Sequence, residues 1–330
     1  MILSRAPLRI SIGGGGTDLP SYYSKYGGFI LGAAINKYIY ICINKTTLDD
    51  YLRIKYSTFE QVTKLEDIKH DLVRPTLEIF GIDKNVEIAS IADISASTGL
   101  GSSSTFMVAL LTALYEFKHM KISAQELVEQ SCHIEIDIAG HPAGKQDHYT
   151  AAFGGIVCMD IDTDGNVKMY PLNISLIAKQ EFKNNVLLFY TGITRPKNNI
   201  LSQQRELTLK GDSNIIDSLH YTKELGYEIK ETLELGDIEY FGELLHKHWL
   251  NKKRRSEQIS NPKIDYWYDL ARKNGAIGGK IMGAGGAGFF MFYVPNKYKL
   301  GLRSVMSNEG LRELLYDFDS YGARIVMNVE

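Results

Sequence analysis

The chain has 330 residues, 44% hydrophobic and 23% charged, a balance that excludes a disordered or fibrous polypeptide. The length suggests roughly two domains around a core that needs no disulfide or metal staple. With 37 Lys and Arg against 39 Asp and Glu the net charge is −2, which excludes the broad positive field of a general nucleic-acid binder but not a local cluster gripping one phosphate.

Arg5 and Arg9 interrupt any signal-peptide apolar run, so a cytoplasmic location is expected. Residues 6–12 read as a strand that ends in four successive glycines at 13–16. Asp18 follows, placed either to cap a helix or to touch a ligand. Residues 29–43, 52–62 and 86–91 are predicted strands. A glycine-serine loop at 97–104 leads into residues 106–117, which are apolar on nearly all sides and are predicted as a central buried helix. Ser123 and Glu126 form a capping box that starts a helix reaching about Ala139, and Gly140 with Pro142 ends it. A helix or turn is expected around Asp147.

Strands follow at 156–160 and 168–172, and one at 186–191 opens a second domain. The expected division therefore falls near residue 180, as 1–180 and 181–330, with an extensive shared interface. The rest is read as mostly helical up to Ala284, centred on the amphipathic stretch 215–235, and then as strands at 289–294 and 323–329. The apolar run 281–294 is 14 residues long, too short to cross a bilayer. Cys42, Cys132 and Cys158 are widely spaced with no CxxC, and read as buried free thiols in a reducing compartment.

Three glycine-rich segments are candidates for ligand contact, because glycine lets a ligand approach the main chain closely. The segment Gly99-Leu100-Gly101-Ser102-Ser103-Ser104 ends where the buried helix begins, and the free N–H groups of a helix start form an anion site. No Walker A string is present. Gly283 to Gly288 satisfies GxGxxG, but it leads into a predicted strand, so it reads as a turn packed on another loop and not as a dinucleotide site.

Two acids stand in unusual places. On a helical wheel at about 100° per residue, Glu135 falls near −20°, in the middle of an apolar arc that includes Leu127, Cys132, Ile134, Ile136 and Ile138. A carboxylate there is either a buried salt bridge or a Mg²⁺ ligand, since magnesium with phosphates favours one or two carboxylates. Asp147 stands in the run Gly144-Lys145-Gln146-Asp147, between a glycine turn and an apolar segment, and alone is as readily a surface acid. His133, His141 and His148 read as surface and loop histidines.

Taken together, Arg5 to Asp18, Ser97 to Thr105 and Lys280 to Gly288 give the chain a resemblance, over nearly its whole length, to the GHMP kinases (galactokinase, homoserine kinase, mevalonate kinase and phosphomevalonate kinase). The resemblance implies an α+β fold: an N-terminal domain like ribosomal protein S5 domain 2 and a ferredoxin-like C-terminal domain, with the active site between them. It also implies ATP as co-substrate and Mg²⁺ held by Ser103 and Glu135. By position, Asp147 matches the proposed catalytic base and Arg9 the basic residue that faces it. Gly99, Leu100, Gly101, Ser102, Ser103 and Ser104 match the ATP phosphate loop. Substrate contacts are implied at Gly15, Gly16, Thr17, Asp18, Gly285 and Gly286. Ser104 stands where the family usually has alanine, and the glycines at 13–16 stand where galactokinases carry Gly-Glu-His.

The strings RISIGGGGTD, GKQD and KIMGAGGAGFF resemble the branch of the family that phosphorylates the anomeric C1 hydroxyl of a heptose 7-phosphate, for nucleotide-activated heptose and surface polysaccharide. The substrate's own phosphate then needs cations. Arg195 with Lys197 is one candidate, and Lys252-Lys253-Arg254-Arg255, equally a solvated helix face, is another. His246, His248 and Trp249 lie just before that run. Rival readings are a free-sugar 1-kinase of fucokinase or galactokinase type, a decarboxylase of phosphorylated acids, and a non-catalytic sensor of sugar and ATP. Partners are expected to be small molecules and not nucleic acid or membrane, with homo-oligomerisation left open.

Overall fold

Two long strands rich in Ile and Ala set the frame of the computed structural model, which describes residues 1–193 and 199–329. β1 (Ile2–Gly13) leads through the glycine turn and α1 (Pro20–Tyr26), with proline in the first turn where its missing N–H costs nothing. β2 (Gly28–Lys45) returns antiparallel to β1 and brings Ala34 opposite Arg9. Its 18 residues serve two further partners: 39–45 pair with β5 and 28–33 with β6. β3 (Leu52–Lys55) and β4 (Phe59–Val62) form a hairpin, α2 (Val73–Ile79) follows, and β5 (Val86–Ala92) runs parallel to β3.

α3 (Ser102–Phe117) lies against β1, where Ser4 Oγ donates to Ala109 O at 2.7 Å. α4 (Ala124–Cys132) opens with the expected capping box between Ser123 and Glu126, and continues as a π-helical turn over His133–Ile138. α5 (Gln146–Phe153), β6 (Ile156–Ile161) and β7 (Val167–Pro171) complete this part of the chain. The eight-stranded sheet has the order β12-β1-β2-β5-β3-β4, with β6 and β7 branching from β2.

α6 (Leu176–Asn185) leads into β8 (Val186–Tyr190). Helices α7 (Asn199–Leu209), α8 (Ser213–Leu235), α9 (Ile238–Lys253) and α10 (Pro262–Lys273) precede β9 (Gly278–Ile281) and β10 (Phe289–Tyr293). Then come α11 (Lys299–Asn308), β11 (Arg312–Glu313) and β12 (Arg324–Asn328). The second sheet is antiparallel, in the order β11-β8-β10-β9. Phe189, Phe290 and Phe292 pack it against the fully buried Trp249 and Trp267. A larger apolar cluster takes residues from both sheets, from Ile2 to Tyr293. Among the described residues no helix is long and apolar enough to cross a membrane.

Three expectations need correction. Residues 52–62 are not one strand, because the chain turns at residues 56–58 to make the β3–β4 hairpin. β9 lies within the stretch expected to be helical; its two glycines carry no side-chain pattern to read. Ile138, placed on the apolar arc by a regular α wheel, is 46% exposed, because the wider pitch of the π turn, accumulated over His133–Ile138, carries its last residues out of α register. The strand expected near the C-terminus is present as β12 and pairs with β1 in the first sheet.

Candidate active site

The glycine-serine loop places an open helix start on a cleft of about 990 Å³. Gly101 takes φ 80° as the N-cap of α3 and contributes no side-chain cap, so the first N–H groups of the helix, at Ser102, Ser103 and Ser104, lack the usual side-chain acceptor. All three serines line the cleft, with Gly99 and Gly101. Leu100 does not. Its side chain is in the core and its carbonyl accepts from Arg9 N at 3.1 Å. The loop is braced from the other sheet, since a Cβ on Gly99 would stand 2.7 Å from Met282 O and one on Gly288 would overlap Thr98 O.

Glu135 is only 2% exposed and meets this helix start. Ser103 Oγ donates to Oε1 at 2.5 Å and Ser104 Oγ to Oε2 at 2.7 Å. His148 Nε2 lies 3.0 Å from Oε2, and His141 Nδ1 lies 3.5 Å from Oε1. Burial alone would raise the Glu135 carboxyl, but the two histidines and Ser103 outweigh it and hold the group below its ordinary range. The contact to Glu135 in turn raises His141. No Lys or Arg is paired with Glu135 among the described residues. His148 is fully buried, with Nδ1 2.8 Å from Ser131 Oγ, and is not the surface residue expected. His133 is exposed, as expected.

Asp147 sits in the first turn of α5, with its carboxyl pressed against Gly101 so closely that a Cβ there would be 3.0 Å away. Arg9 Nε donates to Oδ1 at 2.5 Å, and Arg9 Nη1 donates to Gly99 O at 2.8 Å. The guanidinium is buried, whereas Asp147 is 20% exposed to the cleft.

Asp18 is buried beside them. It does not cap α1, whose N-cap is Leu19. It accepts instead from Gln146 N at 3.0 Å, at the start of α5, and from Gln146 Nε2 and Gly16 N, each at 3.2 Å. Burial raises its carboxyl, and the neighbouring Asp147 adds to that against the lowering from Gln146. Thr17 does not reach the cleft: its hydroxyl lies 2.8 Å from both Gly14 O and Phe29 O, shares its one proton between them and staples the glycine turn to β2. Gly15, Gly16 and Gly286 line the cleft, whereas Gly285 is packed on Ile259. Arg195 and Lys197 lie outside the described residues.

The basic run at the end of α9 divides by helical phase. Lys253 turns to Asp265 and Arg254 is exposed, whereas Lys252 and Arg255 are buried and line the cleft. His248, one turn earlier, lines it too, and His246 instead meets Tyr268. Sequence reasoning gave no role to Lys280 or Gln204. Lys280 is 2% exposed on the wall of the cleft, where burial, with Arg255 and Arg9 nearby, pushes its ammonium down to about 7. The place of Lys280 at the head of the Lys280–Gly288 segment was the available signal; Gln204 on an amphipathic helix offered none.

The family model described as the GHMP kinases N terminal domain matches residues 68–155, and that described as GHMP kinases C terminal matches residues 229–300. The chain is 30% identical over 319 residues to a D-glycero-alpha-D-manno-heptose 7-phosphate kinase of Campylobacter jejuni, covering 93% of this chain and 94% of the relative. It is 25% identical over 326 residues to an L-fucokinase/L-fucose-1-P guanylyltransferase of Bacteroides fragilis, covering 88% of this chain and 34% of that protein. A crystal structure of a D-glycero-D-manno-heptose 1-phosphate kinase from Bacteroides thetaiotaomicron superposes with a TM-score of 0.82 at 26% identity, over 100% of both chains.

Proposed function

The chain belongs to the GHMP kinase family and is a sugar kinase that uses ATP, and from that premise we propose that it phosphorylates the anomeric C1 hydroxyl of D-glycero-D-manno-heptose 7-phosphate. The heptose acceptor is supported by the similarity to the Campylobacter jejuni relative, and the phosphoryl transfer by the meeting of two pairs at one turn. Ser103 with Glu135 and Arg9 with Asp147 flank the Gly99–Ser104 loop, the first at the helix start and the second against Gly101. A 1,7-bisphosphate product would feed nucleotide-activated heptose for surface polysaccharide.

In the proposed step, the C1 oxygen forms a bond to the γ-phosphorus as the bond from that phosphorus to the β–γ bridging oxygen breaks. ADP leaves with the electron pair. Asp147 Oδ2, the oxygen that Arg9 leaves unbonded, receives the hydroxyl proton. Positioning and positive charge matter most in such a loose transition state. The N–H groups of Ser102, Ser103 and Ser104 hold phosphate oxygens, and Arg9 steadies Asp147 and Gly99 in one geometry. Ser103 and Glu135 offer a hydroxyl and an ionised carboxylate, a hard oxygen pair that suits Mg²⁺, which when bound there neutralises charge on the phosphates. We assign the phosphate site to residues 1–180 and most of the facing wall to 181–330.

Replacing Asp147 by Asn tests the step. The expected outcome is a kcat lower by roughly 10²–10⁴ with the KM for ATP changed less than about threefold. Full turnover would remove Asp147 from the chemistry.

The acceptor is tested by ³¹P NMR of products from heptose 7-phosphate, heptose 1-phosphate, free heptose and L-fucose. A new anomeric phosphate on the 7-phosphate supports the reading. The similarity to the Bacteroides fragilis protein, named as an L-fucokinase, favours a free-sugar 1-kinase as the second reading. Turnover of free sugars only would establish it.

A further inference from the structure

One wall of the cleft holds more buried positive charge than phosphoryl transfer uses. Arg255, 6% exposed, and Lys280 have no carboxylate partner among the described residues. Lys280 Nζ donates to Ile12 O at 2.8 Å. Arg255 Nε donates to Ser218 Oγ at 2.9 Å and its Nη2 to Thr222 Oγ1, while Nη1 makes only a long bond of 3.3 Å to Gly15 O. Lys252 Nζ donates to Ile281 O and Gly283 O, so the three cations are tied to β1, to α8 with the turn after β1, and to the end of β9, around one hollow. Buried cations without a counter-charge are costly.

Neutral donors beside them are unused as well. Among the described residues, Gln204 Nε2 and both ring nitrogens of His248 are buried without a hydrogen-bond partner. Burial and the charges of Lys280, Arg255 and Lys252 drive the His248 ring far below its usual pKa, which leaves it neutral with one N–H to give. Gly16 marks where these groups converge. A Cβ there would lie 3.1 Å from both Arg255 Nη1 and Gln204 Nε2, so the space beside that turn is open only because residue 16 has no side chain.

We infer that Arg255, Lys280, Lys252, Gln204 and His248 form the seat of the acceptor's own phosphate monoester, a site separate from the helix start that takes the phosphates of ATP. The inference rests on the proposed reading that the acceptor is a phosphorylated sugar. A monoester dianion supplies what the wall lacks: negative charge for two unpaired cations and acceptor oxygens for Gln204 and His248. The seat joins α7, α9 and β9 to the turn after β1, so the phosphate would anchor the sugar while its other end reaches Asp147.

The test compares wild type with R255M and Q204A, the latter losing an amide nitrogen that has no hydrogen-bond partner among the described residues. Steady-state kinetics are measured with heptose 7-phosphate and free heptose, and melting temperature is measured with inorganic phosphate as probe. In R255M the KM for heptose 7-phosphate should rise roughly 30-fold or more, and in Q204A about 5–10-fold, with the KM for ATP within about threefold of wild type. Phosphate should raise the Tm of wild type by more than that of R255M, which keeps only the helix-start site. Wild type that prefers the 7-phosphate while both variants keep its KM, or lose phosphorylated and free sugar equally, refutes the seat alone. Wild type that accepts only free heptose refutes the acceptor reading and the seat together.

Discussion

Glu135 shows how a charge can be kept where hydrophobicity alone would expel it. Two serine hydroxyls and two imidazoles surround it, and against the desolvation of the site the imidazoles and Ser103 prevail. The wheel located this residue because it is only two positions beyond the start of the π turn, too few for the change of pitch to matter. Its histidine partners were illegible, since His141 and His148 reach it from outside its own helix.

Lys280 behaves in the opposite sense. Its folded-state pKa of about 7 lies below the ordinary lysine value of 10.5. Between those two values the unfolded chain binds the extra proton, so stability rises with pH from about 7 towards 10. K280M should remove that rise and melt above wild type at pH 7 without ligand, because it deletes an uncompensated buried charge. Thermal melts of the two proteins at pH 7 and pH 9 check this; a Tm for K280M below wild type at both would contradict it.

The elements that were readable are those with a local signal. The capping box at Ser123 and Glu126 is one, with its reciprocal bonds of 3.2 Å and 3.0 Å present as expected. S123A should cost about 0.5–2 kcal/mol by denaturant unfolding. What could not be read is how loops meet. Arg9 and Asp147 are 138 positions apart, and nothing local in either stretch tells that α5 brings them together at the glycine turn. The turn between β9 and β10 was legible by contrast: its glycines match a nucleotide-binding string, but a strand follows them, and they serve the expected packing on another loop, where Gly288 has φ 96° and its Cα faces Thr98 O. G288A should therefore act twice, through strain of roughly 1–3 kcal/mol and through displacement of the phosphate loop. We expect a lower Tm and a raised KM for ATP, measured on the same preparation.

At the scale of the molecule, the apolar cluster that crosses from one sheet to the other argues for a single unfolding event. Trp249 and Trp267 report only on the second sheet and its helices, whereas far-UV circular dichroism reports on the whole chain. The two signals should change together across a denaturant titration, and separated midpoints would mean that the two sheets unfold independently. The strands predicted at 6–12 and 29–43 and the buried run of α3 announced this mixed architecture. The return of β12 to β1 was not announced, because a short strand of Ile and Val has no preference for one sheet over another.

The contact between the loops 98–101 and 282–288 is made by main chain on both sides, so neither can yield by rotating a side chain. Any ligand that shifts the second loop must drag the opening turn of α3 with it. Occupancy at one end of the cleft is thus mechanically geared to the other. If the two bound forms differ in that gearing, each ligand tightens or loosens its companion by one common factor, which titrations in both orders would read.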